Sequence, residues 1–325
     1  LKRLALWLTG ALALGFVAVN VVAWRHAHAM THFTGPGDRS QSPEELSAGQ
    51  KIATLLAGVK VSRPENRSTP IETGLDYETV SFTGAHNLSI EAWLIEAPAS
   101  KGTILLFHGY ASAKDSLIPT ARAFHDLGYT TMLIDFHGSG GSGGGSTSIG
   151  YHEADDVVAA AAYARTRFPS EPLILHGASL GAVAVLRAVG PLGLEADAII
   201  AEAPFDRMLT TVQRRFSAMK APSFPAAQLL AFWGGRQHGF NAFDHNPMDY
   251  AREIDCPTLI LLGDQDPRVR VEDGTRVHEN LSGGRKLEIF EGAGHGACLK
   301  TDPKKWNDVV AELLSRAESN SSRQR

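Results

Sequence analysis

Cysteine is scarce in this chain. Cys256 and Cys298 are the two among 325 residues, and neither has a partner at metal-ligand spacing. Two thiols do not make a disulfide framework for a domain of this size, and nothing in the sequence asks for a bridge between them. A basic surplus is also missing. Lys and Arg number 31 against 35 Asp and Glu, for a formal net charge of -4, and no basic run follows the first residues. That removes the electrostatic footprint of a nucleic-acid-binding protein. No internal repeat is visible. What remains is an ordinary apolar fraction of 43%, enough for a sizeable core in one large α/β domain or two small ones.

Charge is absent altogether from residues 4–24, LALWLTGALALGFVAVNVVAW. At 1.5 Å per residue such a helix reaches about 30 Å, the hydrocarbon thickness of a bilayer. Two readings stay open, an uncleaved anchor and a cleaved signal peptide. Ala27-His28-Ala29 offers a small-residue cleavage pattern, but the apolar run is longer than a usual h-region. Lys2 and Arg3 precede the run and a single Arg25 follows it. The expected orientation puts the N-terminus in the cytoplasm and the folded domain beyond the membrane, either anchored or, after cleavage, secreted or periplasmic.

Residues 1–30 are therefore read as the membrane segment and 31–70 as a stalk, polar and rich in Gly and Pro. A helical patch is expected at 44–57, where Leu46, Ile52, Leu55 and Leu56 share a face. From Tyr77 the pattern changes. Alternation over 77–82 and 88–97 predicts an antiparallel strand pair. Near-continuous apolar runs at 103–108, 130–135, 172–177, 196–203 and 257–263 predict strands buried on both faces. A further strand is read at 286–292, and helical stretches at 115–127, 151–167, 180–190, 272–281 and 302–316 alternate with the strands. The fold class expected is α/β: a mostly parallel central sheet with helices on both faces, over 71–318, with a disordered tail at 319–325. Ligands of such sheets bind beyond the carboxyl ends of the strands, where His108, Asp135, Ser179 and Asp266 all fall.

Residues 204–250 interrupt this alternation. They carry eight aromatics, Phe205, Phe216, Phe224, Phe232, Trp233, Phe240, Phe243 and Tyr250, about twice the chain's 8%. They are read as a small helical cap over the strand ends. Its rings either build a water-excluded pocket for an acyl or aryl group or anchor the cap to the body.

Gly177-Ala178-Ser179-Leu180-Gly181 lies between an apolar strand and an apolar, small-residue helix. Glycines on either side of a serine remove Cβ clashes, so the chain can reverse sharply and expose the hydroxyl. Gly140-Gly141-Ser142-Gly143-Gly144 matches the same expression, but no apolar helix follows it. Ser179 is thus the candidate nucleophile. A serine hydroxyl needs a base to take its proton and a carboxylate to orient that base. Downstream come Gly263-Asp264-Gln265-Asp266 at a strand end and Gly292-Ala293-Gly294-His295-Gly296 after the last strand.

His295, on a Gly-flanked loop, is the base chosen from 13 histidines. His26, His28 and His32 flank the membrane segment, while His108 and His176, at strand ends, read as braces for loops. The acid is Asp266 or Asp264. Asp266 is preferred because the chain leaves the strand through a short turn before it, with Asp264 then capping the turn or accepting backbone hydrogen bonds. An oxyanion needs two N–H donors. One is expected from the Leu180 backbone at the start of a helix and one from Tyr110, with Ala111 as the alternative.

HGY at 108–110, DFHGSGGS at 135–142, GASLGA at 177–182, the Asp266 turn and GAGH at 292–295 together resemble the α/β-hydrolase superfamily, in its esterase/lipase and serine-aminopeptidase-like branch. The resemblance spans about 77–316. It implies a catalytic triad of Ser179, Asp266 and His295, backbone donors at Tyr110 and Leu180, and no cofactor or metal. His137 departs from the family pattern, which usually has Arg in that loop, so the loop's salt-bridge anchoring is open and the 138–145 glycines read as a flexible loop. The expected function is a serine hydrolase cleaving a carboxylic ester through an acyl-enzyme. Peptidase, thioesterase and acyltransferase chemistry are alternatives on the same fold, and a non-enzymatic tethered binding module is the reading from another class. The partners expected are a small-molecule or lipid-like acyl substrate and, through the N-terminal helix, a membrane.

Overall fold

The computed structural model describes residues 2–35, 47, 49–50, 54 and 58–324, the last six of these by backbone alone. The helical patch expected at 44–57 lies outside the described residues, apart from isolated positions. The chain divides into two compact units, one of residues 1–62 with Met208–His245, the other of Arg63–Arg207 with Asn246–Arg325. Folded backbone of the larger unit thus begins at Arg63, eight residues before the expected boundary at 71. The insertion expected at 204–250 groups as 208–245, and it does so with the N-terminal segment.

The larger unit is built on eight strands: β1 (Glu78–Thr83), β2 (Ser89–Ile95), β3 (Thr103–Phe107), β4 (Thr130–Ile134), β5 (Leu173–Ala178), β6 (Ala198–Glu202), β7 (Thr258–Gly263) and β8 (Arg285–Phe290). Their order is β1-β2-β4-β3-β5-β6-β7-β8. β1 pairs antiparallel with β2, and β2 with β4, while every other neighbour is parallel. The pattern of burial follows from this. Every residue of β3, β4, β6 and β7 is buried, as apolar runs covered on both sides must be, whereas β1 exposes most of its residues at the sheet edge.

In chain order the helices are α1 (Lys2–Thr31), α2 (Ile118–Asp126), α3 (Glu153–Arg167), α4 (Leu180–Val189), α5 (Met208–Ala218), α6 (Ala226–His238), α7 (Pro247–Tyr250), α8 (Val271–Asn280), α9 (Cys298–Thr301) and α10 (Pro303–Gln324). Two separate cores mark the two faces of the sheet. On one, Ala154, Val157, Ala160 and Ala161 of α3, the body of α4 and Val277 of α8 meet Leu105, Leu175 and Ile199. On the other, Phe124 of α2 and Trp306, Val310 and Leu314 of α10 meet Ile104, Leu106 and Ile200. α10 is continuous in backbone to Gln324, through the positions read as a disordered tail.

Chain winding reverses at β3. It has β4, its successor, on one side and β5 on the other, with Phe107 paired to Gly177 at the carboxyl end. A crevice opens where successive connections leave to opposite sides, which is where ligands of doubly wound sheets bind. The loop after β3 and the turn after β5 both leave from that point.

The smaller unit holds α1, α5 and α6. α1 is 30 residues long and apolar enough to cross a membrane. Its last turns pack against α6: Trp233 donates to the Asn20 side chain at 3.1 Å and the Gln237 amide to the Trp24 carbonyl at 2.9 Å.

Candidate active site

Ser179 sits between β5 and α4 with φ 53 and ψ -112, a conformation that costs a non-glycine residue about 1–3 kcal/mol unless its surroundings hold it. Here they do. Its N–H donates to the Glu202 carbonyl at 2.8 Å, and its carbonyl accepts from Val183 at 3.1 Å. The flanking glycines are required sterically. A Cβ on Gly181 would lie 2.3 Å from the Phe107 carbonyl oxygen, and one on Gly177 would lie 2.4 Å from the Gly181 backbone. β3, β5 and α4 can therefore close on one another only without those side chains.

The structure brings three distant residues together. His295 Nε2 is 2.9 Å from Ser179 Oγ, and its Nδ1 is 2.7 Å from Asp266 Oδ2. With Nδ1–H donating to the carboxylate, Nε2 is left as the acceptor for the serine hydroxyl. The other oxygen of Asp266, Oδ1, accepts from the Arg268 and Val269 N–H groups at 2.8 and 3.0 Å, which fixes the carboxylate's orientation. Asp264 points elsewhere. Its Oδ1 accepts from the Gly292 N–H at 2.7 Å, bracing the turn that leads to His295.

Leu180 is the first residue of α4, so its N–H is among those an α-helix leaves without an intrahelical acceptor. The loop from β3 runs beside the serine: a Cβ on Gly109 would stand 3.6 Å from Ser179 Cβ. Tyr110 follows it, half-buried against the α3–α4 core, and Ala111 has φ 52. His108 holds this loop, Nδ1–H donating to the Gly109 carbonyl at 2.8 Å and Nε2 accepting from Phe136 N–H at 3.2 Å. Burial keeps its pKa below the ordinary imidazole value, so it serves as a neutral brace. His176 differs from expectation. Neither ring nitrogen has a hydrogen-bond partner and the ring lies 5.8 Å from that of Phe124, so it packs as a core aromatic, with burial lowering its pKa to about 4.

The glycine-rich segment is hydrogen-bonded from Gly138 to Gly144, contrary to its reading as a flexible loop. Gly138 N–H donates to Gly143 O at 2.7 Å, Gly143 N–H to Ser89 O at 2.7 Å and Gly140 N–H to Pro64 O at 2.9 Å. The Arg63 guanidinium donates to the carbonyls of Gly140, Ser142 and Gly144. Ser142 is buried, its hydroxyl donating to the Asp135 carbonyl and accepting from Glu91 N–H. His137 answers the question its departure raised. Its Nδ1 is 2.6 Å from Asp156 and its Nε2 4.0 Å from Glu153. Burial alone would depress its pKa, but the two carboxylates outweigh that and raise it to about 9. A charged imidazole thus stands between the two carboxylates.

Two groups near the site were not singled out from the sequence. Glu202, at the end of β6, is 6% exposed, and its Oε1 accepts from the Cys298 N–H at 3.0 Å, three residues past His295. Burial holds its carboxyl above the ordinary range. The one available signal was a charge inside the apolar run ADAIIAEA. Lys114 is fully buried, bridging Glu91 at 2.7 Å and Asp135 at 2.5 Å beneath the ring of Trp93. Nothing in its polar neighbourhood, SAKDS, announces a core position.

A doubly wound sheet with a strained serine turn at its switch point, followed in chain order by an acid and a histidine, defines the α/β-hydrolase fold. The chain has that fold. Residues 98–250 match the family model described as serine aminopeptidase, S33. An uncharacterized protein of Bacillus subtilis (strain 168) is 26% identical over 233 residues, 71% of this chain and 76% of that one. A lysophosphatidylserine lipase of Mus musculus is 25% identical over 217 residues, 62% of this chain and 51% of the relative. The match thus spans about half that relative's length. Among solved structures, an esterase of Pyrococcus furiosus superposes with a TM-score of 0.66 at 25% identity, covering 79% of this chain and 98% of the esterase. The chain is thus similar to esterases and lipases of the α/β-hydrolase fold.

Proposed function

We propose that this protein is a membrane-anchored serine esterase, cleaving a carboxylic ester of a small or lipid-like acyl substrate through an acyl-enzyme. The observation that carries the reading is the continuous relay from Asp266 through His295 to Ser179, at 2.7 and 2.9 Å. Ser179 Oγ attacks the ester carbonyl carbon as its proton passes to His295 Nε2. Asp266 stabilises the imidazolium that forms. The oxyanion is met by the N–H groups of Leu180 and Tyr110, each such donor being worth about 3–4 kcal/mol in comparable sites. His295 then gives its proton to the leaving alkoxide, and water, activated by the same nitrogen, releases the acid. The lysophosphatidylserine lipase relative supports a lipid-like substrate, and the serine aminopeptidase model supports a peptidase as the second reading.

Labelling with a fluorophosphonate and competing with a panel of esters, thioesters and peptides tests both. The expected result is a single adduct on Ser179, a burst of alcohol from p-nitrophenyl esters, and esters as the best competitors. Asp266→Asn should lose about 10⁴-fold in turnover, while Asp264→Asn retains most of it. Absence of an adduct on folded protein ends the proposal. An inactive Asp264→Asn beside an active Asp266→Asn reassigns the acid, and preferential competition by peptides favours the peptidase.

A further inference from the structure

The segment 208–245 differs from the rest of the chain in charge and in what it exposes. It carries Arg214, Arg215, Lys220 and Arg236 against Asp244 alone, net +3, within a chain of net -4. Phe224 is 76% and Phe232 45% exposed, close together in sequence, whereas exposed large apolar residues of the other unit, such as Ile71, Leu192 and Ile289, are scattered. Isolated exposed apolar residues are ordinary, but a basic segment with clustered exposed rings is the composition of an interfacial membrane element.

Its register on α1 points the same way. Asn20 pairs with Trp233 and Trp24 with Gln237, so the two helices run in the same direction. Residues preceding Trp233 therefore lie toward the apolar run of 4–24, and those following it lie toward the polar end. Asn20 is about 6 Å inside Trp24 along the helix axis, which sets Trp233 at the depth where tryptophans line membrane interfaces. Phe232 and the loop bearing Phe224 precede it.

We infer that α6 and the Phe224 loop are inserted in the bilayer leaflet that receives the C-terminal end of α1. Phe224 and Phe232 reach the acyl chains, and Arg236, exposed and past Trp233 toward the polar end of α1, meets anionic lipid phosphates. The inference rests on α1 being retained as an anchor. It is independent of the chemistry at Ser179, and its test uses no hydrolysis.

The full chain, carrying Cys256→Ser so that buried Cys298 is the sole native thiol, is given Phe224→Cys or Phe232→Cys, labelled with an environment-sensitive fluorophore. It is reconstituted in phosphatidylcholine vesicles containing phosphatidylglycerol. Lys304→Cys, whose native side chain is 87% exposed, is the aqueous control. The expected result is at least threefold stronger quenching of the 224 and 232 labels by lipids spin-labelled near the headgroup than by aqueous iodide, with the reverse at 304. Labels at 224 and 232 that follow the 304 control overturn the inference. So do labels shielded from both quenchers, which would mean a protein partner, and an intact mass showing that α1 has been removed.

Discussion

At the scale of single residues, the candidate site is braced by a group outside the Ser179, His295 and Asp266 relay. Glu202 accepts a hydrogen bond from the Cys298 N–H through its side chain while its carbonyl accepts one from the Ser179 N–H, so one residue ties the His295 loop to the serine turn. Glu202→Gln keeps a carbonyl oxygen for Cys298 and should leave hydrolysis of a p-nitrophenyl ester within about threefold of the parent. Glu202→Ala strands a buried N–H, at a cost of about 1–3 kcal/mol. It should lower the urea midpoint accordingly and reduce kcat more than KM. Equal behaviour of the two variants would show that the carboxyl, not the acceptor oxygen, is what matters. The meeting of Ser179, His295 and Asp266 could be expected from the sequence because glycines and strand ends mark where loops leave the sheet. Glu202 and Lys114 could not be, because a buried charge is recognisable only by partners that lie far away in the chain.

At the scale of elements, the segment 135–145 is anchored by a buried imidazole and carboxylates from outside it. His137 stands between Asp156 and Glu153, and Glu153 in turn accepts from Thr147, Ser148 and Gly150. Burial opposes ionisation of Glu153, yet His137 and the two hydroxyls hold its pKa down at about 2. The His137 pKa is raised in the folded chain to about 9. Its contribution is therefore complete below the unfolded value near 6.5 and is lost as pH rises through 9, a change of up to about 3 kcal/mol. Glu153 acts at the other end, its contribution present above about 4.5 and lost as pH falls through 2. Urea unfolding in detergent should show a midpoint that drops between pH 6.5 and 9.5 in the parent. The drop should be much smaller in His137→Asn, which starts lower. A parent midpoint flat across that interval would mean that His137 is neutral in the fold. The strands were readable because burial on both faces demands unbroken apolar runs. The anchoring of the glycine segment was not, since Arg63 reaches it across about eighty residues of chain.

At the scale of the whole molecule, sequence order and spatial grouping part company. Residues 208–245 are inserted between β6 and β7, yet they group with the N-terminal segment, joined by contacts 213 residues apart in the chain. Composition revealed an aromatic insertion but could not reveal its partner, because Ala23 and Ala27, the buried small residues of α1, look like any others in an apolar helix. The grouping bears on whether α1 is anchor or signal. A signal peptide leaves after export, so its loss would break the bonds of Trp233 and Gln237 to α1 and uncover the apolar surface of α6 that packs on it. α6 is better served if α1 stays. Membranes from cells expressing the full chain should therefore retain it in the pellet through alkaline carbonate and high salt, releasing it only to detergent. The pelleted protein should keep residues 4–24, since about twenty apolar residues in helical form hold a chain in the hydrocarbon layer far more firmly than surface charge can. Recovery of a shortened chain in the carbonate supernatant would show that α1 is cleaved and that the smaller unit exists only before processing.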